Sequence, residues 1–123
     1  MYSRRVLEQF QNTAHVGSLP DADVSVLVEN PVCGDILELA MKIDAGKIAD
    51  AKFRARGCVA AIACAAQLAE MIQNCTLAEA RSLQREQLIQ ALNGLPDASM
   101  HASHLALDAL AAALKKLAAE QRR

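Results

Sequence analysis

Hydrophobic and polar positions change their period twice along this chain. Near the start, Tyr2, Val6, Leu7 and Phe10 recur at helical spacing, which predicts a short amphipathic helix over residues 2 to about 11, docked on an edge. Gln11 through Asp23 loses that period and collects Asn12, Gly17, Ser18, Pro20 and two aspartates, the composition of a loop. His15 lies in this loop and is expected to be exposed and inert. Val24-Ser25-Val26-Leu27-Val28 is then a β-branched run that reads as a strand. Ile36 to Ile43 alternates apolar and polar residues, Asp44-Ala45-Gly46 is a hairpin signal, and Lys47 to Arg56 continues as a third strand. Strands on such short connections predict an antiparallel meander with one apolar face and one wet face.

After Gly57-Cys58 the period lengthens. Val59 to Ile72 is rich in helix formers and apolar nearly all round, so it predicts a deeply buried helix. Asn74 marks its end, Thr76-Leu77-Ala78-Glu79 fits a capping box opening a new helix, and helical spacing resumes from about Arg85 to Leu92. Asn93-Gly94-Leu95-Pro96-Asp97 is a break, followed by a long Ala/Leu helix from Ala98 to about Gln121 with a basic end that suits its dipole. The expected fold class is α+β: a three-stranded antiparallel meander packed by four to five helices, the last of them long.

Composition narrows this picture. At 123 residues and 53% hydrophobic the chain is expected to form a single domain over 1–123. With no Trp, one Tyr and two Phe, its core must be built from Ala, Leu, Ile, Val and Met, which favours closely packed helices on a sheet. Thirteen Lys and Arg against fourteen Asp and Glu, without a long basic run, disfavour nucleic acid and anionic membranes as partners. No apolar run reaches the ~20 residues of a membrane span. The opening Met-Tyr-Ser-Arg-Arg lacks the apolar stretch of a secretory signal, so the expectation is a cytoplasmic protein. In that setting Cys33, Cys58, Cys64 and Cys75 are expected to be free or metal-binding thiols rather than disulfides. None pair as Cys-x-x-Cys, so neither a zinc ribbon nor a thioredoxin-type site is indicated.

The chemistry concentrates where the chain reverses. In Asn30-Pro31-Val32-Cys33-Gly34-Asp35, Pro31 pushes Asn30 out of the helical region and Gly34 permits conformations closed to other residues, which predicts a tight bend. If the segment is extended or bulged, Cys33 and Asp35 project to one side and converge on one metal. The alternative is a small buried Cys33 beside an Asp35 that hydrogen-bonds its own backbone. Cys58 is expected in the first turn of its helix, where unpaired N–H groups and the macrodipole favour a thiolate. His101 falls in the first turn of the last helix. Together Cys33, Asp35, Cys58 and His101 suit zinc or an iron–sulfur centre and do not suit magnesium or calcium.

Three ordered blocks carry a resemblance: Asn-Pro-Val-Cys-Gly-Asp at 30–35, Arg-Gly-Cys-Val-Ala-Ala-Ile-Ala-Cys at 56–64, and Met-His-Ala-Ser-His-Leu-Ala-Leu-Asp-Ala-Leu at 100–110. With Tyr2-Ser3 and Val16-Gly17-Ser18-Leu19, they resemble the NifU/IscU-type iron–sulfur cluster assembly scaffolds over essentially the whole chain. The resemblance implies an α+β fold, sulfur received from a cysteine desulfurase, a [2Fe–2S] cluster built with iron, and its transfer to acceptor apo-proteins. It also implies zinc as an alternative occupant of the same residues. By this resemblance Cys33 and Cys58 are thiolate ligands, Asp35 is the carboxylate that tunes cluster lability, and His101 is the nearby imidazole.

The third block departs from the family at Ala102, where a third cysteine, the usual sulfur acceptor and a cluster ligand, follows the histidine. Leu95-Pro96-Asp97-Ala98-Ser99 also differs from the Leu-Pro-Pro-Val-Lys of bacterial members with a dedicated Hsp70 partner, so chaperone docking is not implied. Two expectations follow. One is a scaffold whose four retained ligands hold iron, a labile [2Fe–2S] cluster or tetrahedral zinc, with affinity falling as pH drops. The other is a degenerate homologue that binds zinc or regulates the desulfurase without building clusters. Nothing resembles a nucleophile, base and oxyanion arrangement, so no enzyme is expected. The chain is expected to act as a monomer or homodimer. Cys64, about 120° around the helix from Cys58, and Cys75, roughly 25 Å along it, are expected to be structural. His104, one turn after His101, reads as a partly exposed helix histidine.

Overall fold

The alternating segments pair in sequence order. In the computed structural model, which describes residues 1–121, β1 (Val24–Asn30), β2 (Asp35–Asp44) and β3 (Lys47–Arg56) form one antiparallel sheet in the order β1-β2-β3. Period two puts Leu37, Leu39 and Met41 of β2 on one face, opposite Val28, Val26 and Val24 of β1 and Ala55, Phe53 and Ala51 of β3. That row is the sheet's contribution to the core; Leu37, Leu39, Met41 and Phe53 are at most 2% exposed. The β2–β3 connection is a two-residue hairpin, with Ala45 at φ 52° and Gly46 at φ 78°, the left-handed pair that a type I′ turn requires.

Five α-helices are present among the described residues: α1 (Arg4–Gln11), α2 (Val59–Ile72), α3 (Leu77–Arg81), α4 (Arg85–Ala91) and α5 (Met100–Gln121). α2 packs on β3, α5 on β1 and β2, and the two helices meet each other. Buried Ala60, Ala63 and Ala66 on α2 and Ala106, Ala109 and Ala113 on α5 keep the layers close, as expected of a core without tryptophan. α3 opens on the expected capping box: the Glu79 N–H donates to Thr76 Oγ1 at 3.0 Å and the Thr76 N–H donates to Glu79 Oε1 at 3.0 Å.

Three details differ from expectation. α1 starts at Arg4 on a Ser3 cap and buries Val6 and Gln9, while Leu7 and Phe10 are exposed. Polar contacts with α2 decide this roll: Gln9 Nε2 donates to Gln67 Oε1 at 2.8 Å, both side chains buried, and Arg5 pairs with Glu70 at 2.7 Å. His15 is half-buried with Nδ1 3.1 Å from the Ala51 carbonyl, and its own carbonyl accepts the Phe53 N–H, so its loop covers the open edge of β3. The last helix begins at Met100 after a 3-10 turn at Asp97–Ser99, two residues later than its composition suggests. Arg122 and Arg123 of its expected basic end lie outside the described residues. Among the described residues no helix is long and apolar enough to cross a membrane.

Candidate metal centre

The β1–β2 loop is built by Asn30 and Gly34. The Asn30 side chain accepts the N–H of Val32 at 3.1 Å and of Cys33 at 3.4 Å, and its carbonyl accepts the Gly34 N–H at 2.7 Å. Gly34 closes the loop at φ 74° and returns the chain into β2, where Asp35 pairs with Asn30. Cys33 and Asp35 therefore converge through a turn and not through an extended segment. Cys33 is exposed, which excludes the buried-hydrophobe reading, whereas the Asp35 side chain is 3% exposed.

Asp35 is held by the strand-to-helix junction. Its Oδ1 accepts the Cys58 N–H at 3.2 Å, and a Cβ at Gly57 would land on that same oxygen. Gly57 also has φ 147°, so only glycine suits this junction on both counts. Cys58 is the N-cap of α2 rather than a first-turn residue, its Sγ accepting the Ala61 N–H at 3.4 Å. That sulfur lies 3.8 Å from Asp35 Oδ2 and 4.0 Å from His101 Nε2. His101, at the start of α5 and about one-third exposed, places Nε2 3.3 Å from Asp35 Oδ2. Cys33 joins from the loop: one ligand atom each from Cys33, Asp35 and His101 lie within 4.8 Å of one another.

Three of the four residues singled out by sequence, Cys33, Asp35 and His101, thus bring their donor atoms together, and Cys58 stands beside Asp35 and His101 outside that closest group. Asp35 divides its labour, Oδ1 being committed to the backbone while Oδ2 faces the sulfur and the imidazole. Soft thiolates with an intermediate imidazole and one carboxylate are donors for zinc or iron. Gly57 is the residue that sequence reasoning passed over; its signal was an Arg-Gly-Cys junction between an alternating strand and an apolar helix.

The other two cysteines stand apart. Cys64 is fully buried, and burial, with a smaller contribution from Cys58, pushes its thiol up to about 12. Cys75 donates to the Met71 carbonyl at 3.0 Å and is also shifted upward, by desolvation and then by Glu79. Ala102, beside His101, is 1% exposed and packed in the core. His104 is exposed and lines a cleft of about 250 Å³ that it shares with His101.

The profile of the NifU-like N-terminal domain matches residues 1–123. The iron–sulfur cluster assembly scaffold protein IscU 1 of Archaeoglobus fulgidus is 44% identical over 114 residues, covering 93% of this chain and 74% of that protein. A Drosophila melanogaster relative, named iron–sulfur cluster assembly enzyme IscU, is 39% identical over 127 residues, covering 100% and 82% respectively. A solved N-terminal NifU-like protein from Brucella abortus superposes with TM-score 0.75 at 19% identity, covering 94% of this chain and 92% of that one, a likeness of fold.

Proposed function

We propose a function from one premise: the chain belongs to the NifU-like N-terminal domain family. On that premise the protein is one domain over residues 1–123 and acts as a scaffold on which iron and sulfur are assembled as cargo, held at Cys33, Asp35, Cys58 and His101. The observation that carries the reading is the convergence of Cys33, Asp35 and His101, with the Cys58 sulfur 3.8 Å and the His101 nitrogen 3.3 Å from the Asp35 carboxylate. Asp35 and His101 supply oxygen and nitrogen donors in place of further sulfur. Such donors bind cluster iron less tightly than thiolate, which suits a cargo that has to leave. Zinc fits the same ligands when no cluster is being built.

Sulfur arrives in this scheme from a cysteine desulfurase and the finished [2Fe–2S] cluster leaves for acceptor apo-proteins. Of the four thiols, the exposed Cys33 is the one a partner reaches; Cys58 is tied into its cap, Cys64 is buried, and the half-buried Cys75 donates to the Met71 carbonyl away from the site. The cytoplasm, a reducing compartment, keeps these cysteines free. One chain carries all four ligands, so a monomer is sufficient and a homodimer is not required. No chaperone is assigned: Leu95 and Ser99 are buried and Asp97–Ser99 is wound into a 3-10 turn, so this segment is not presented as a free peptide.

Ala102 favours a second reading, a zinc-holding partner of the desulfurase that builds no cluster. Anaerobic reconstitution with iron(II), cysteine, a desulfurase and a thiol reductant that supplies the electrons taking persulfide sulfur to sulfide, followed by visible absorption and metal analysis, separates the two. The scaffold reading expects a coloured cluster in the parent protein and none in Cys58→Ala. Zinc alone in the parent, with colour appearing only in Ala102→Cys, establishes the second reading. Neither metal nor colour in any form overturns both.

A further inference from the structure

No buried side chain anchors the loop that carries Cys33. Pro31, Val32, Cys33 and Gly34 are all exposed, so packing does not fix where the Cys33 sulfur stands. Its two neighbours are placed by the fold: Asp35 is buried and paired with Asn30 at the end of the sheet, and His101 belongs to α5. Convergence of the three donor atoms within 4.8 Å therefore depends on whatever shapes four exposed residues.

Asn30 shapes them. Pro31 confines Asn30 to extended conformations and has no N–H of its own. The next two amides turn to a single acceptor, Val32 N–H donating to Asn30 Oδ1 at 3.1 Å and Cys33 N–H to the same oxygen at 3.4 Å. This is an Asx turn extended by one residue, and it includes the amide of the ligand itself. The Asn30 carbonyl also accepts the Gly34 N–H at 2.7 Å, a bond that any residue at this position can offer. The two side-chain bonds instead require a short side chain that ends in an acceptor. Asn30 is the last residue of β1 and stands in register with Asp35, so its oxygen ties the loop to the strand pair that places the carboxylate.

We propose that Asn30 is a positioning residue: its side-chain oxygen holds the Pro31–Gly34 turn in the shape that brings the Cys33 sulfur to Asp35 and His101, and thereby sets how tightly the site holds a metal. This rests on the reading of those three residues as ligands. A metal at about 2.0–2.3 Å from each donor places the donors about 3–4 Å apart. The observed spread closes to that by a small movement, whereas a loop sampling many shapes loses the convergence. Hydrogen bonds of this kind are individually modest, so they bias the loop without locking it, and the thiol remains free to swing out to a partner and return.

Asn30→Ala, Asn30→Asp and Asn30→Gln in the full chain test this role. Aspartate supplies the same acceptor at the same reach; glutamine supplies the same amide one methylene further out. The readouts are cobalt(II) affinity, from sulfur-to-metal charge-transfer absorption, and backbone order parameters of the metal-free protein by NMR. Asn30→Ala and Asn30→Gln should each lose about tenfold in cobalt affinity. In both, Val32 and Cys33 should fall below an order parameter of about 0.6, with Ala45 and Gly46 unchanged. Asn30→Asp should restore both readouts; its added charge affects cation affinity but not loop order, so loop order decides the rescue. The urea midpoint should move little in all three, because residue 30 is only half-buried. The proposal is overturned if Asn30→Ala leaves either readout at the parent's value, or if glutamine restores loop order as well as aspartate does. A parent without the cobalt band counts instead against the scaffold reading, and the order parameters alone then decide whether Asn30 holds the loop.

Discussion

The two ends of β2 carry turns of opposite kind. At its C-terminal end, the Ala45-Gly46 hairpin is clamped by a distant segment: the Leu77 N–H donates to the Gly46 carbonyl at 3.0 Å, Ile48 donates to the Cys75 carbonyl at 2.8 Å, and Asn74 donates to the Ile48 carbonyl at 2.7 Å. At its N-terminal end, the loop from Pro31 to Gly34 takes its backbone bonds from Asn30 alone, and Val32 is 91% exposed at its tip. One strand therefore runs from a part of the fold that tertiary bonds hold still into a part that only local bonds shape. The proposed ligand Cys33 sits on the second. A thiol that has to meet a partner and then join a metal gains from a backbone that opens without unfolding its neighbours.

Amide exchange puts the largest number on this contrast. The amides of Ile48 and Asn74 should open only with global unfolding, at a cost of about 5–15 kcal/mol, while those of Val32 and Cys33 should exchange near the intrinsic rate. Equal protection at both ends would break the comparison. Truncation sharpens it next: Ile48→Ala, at a position fully buried beside the clamped hairpin, should lower stability by about 2–4 kcal/mol in urea unfolding with little change in slope. Val32→Ala at the other end should change it by less than about 0.5 kcal/mol.

Gly57→Ala tests whether the exposed loop is nevertheless held to a fixed floor. The added Cβ meets Asp35 Oδ1 and the residue is forced to φ 147°, so a loss of about 1–3 kcal/mol is expected. It should come with weaker binding of cobalt(II) at the thiolates, read by charge-transfer absorption, because Asp35 is displaced. Unchanged affinity would mean that Asp35 is not placed by this junction. A small effect of opposite sign is expected at the hairpin itself. Ala45 occupies a left-handed conformation that alanine disfavours, so Ala45→Asn should raise the midpoint of urea unfolding by an amount equivalent to about 0.5–1 kcal/mol.

Much of this architecture was legible before any coordinates. Val59–Ile72 is the helix that its apolar composition predicts, the three strands fall where alternation places them, and Cys64 is as buried as its position on an all-round apolar helix implies. Less was legible wherever a segment's partner is far away in sequence. His15 looked like an idle loop residue because the β3 edge it covers lies 36 residues further on. Leu7 and Phe10 looked like an inward stripe because periodicity does not register that Gln9 and Gln67 bond to each other in the interior.

The candidate site divides along the same line. Sequence alone determined which donors were available, since the resemblance of three short blocks singled out Cys33, Asp35, Cys58 and His101, and the left-handed Gly34 turn follows from residue type. What only the tertiary structure decided is how those donors are shared. Asp35 spends one oxygen on the Cys58 backbone and turns the other to sulfur and imidazole, because Gly57 leaves room for it there. His104 comes to share a cleft with Glu29 because α5 packs along β1, with Lys116 donating to the Ser25 carbonyl further along the strand. Donor identity is a property of single residues, but distance between donors is set by how helices and sheet pack, and packing is a property of the whole chain.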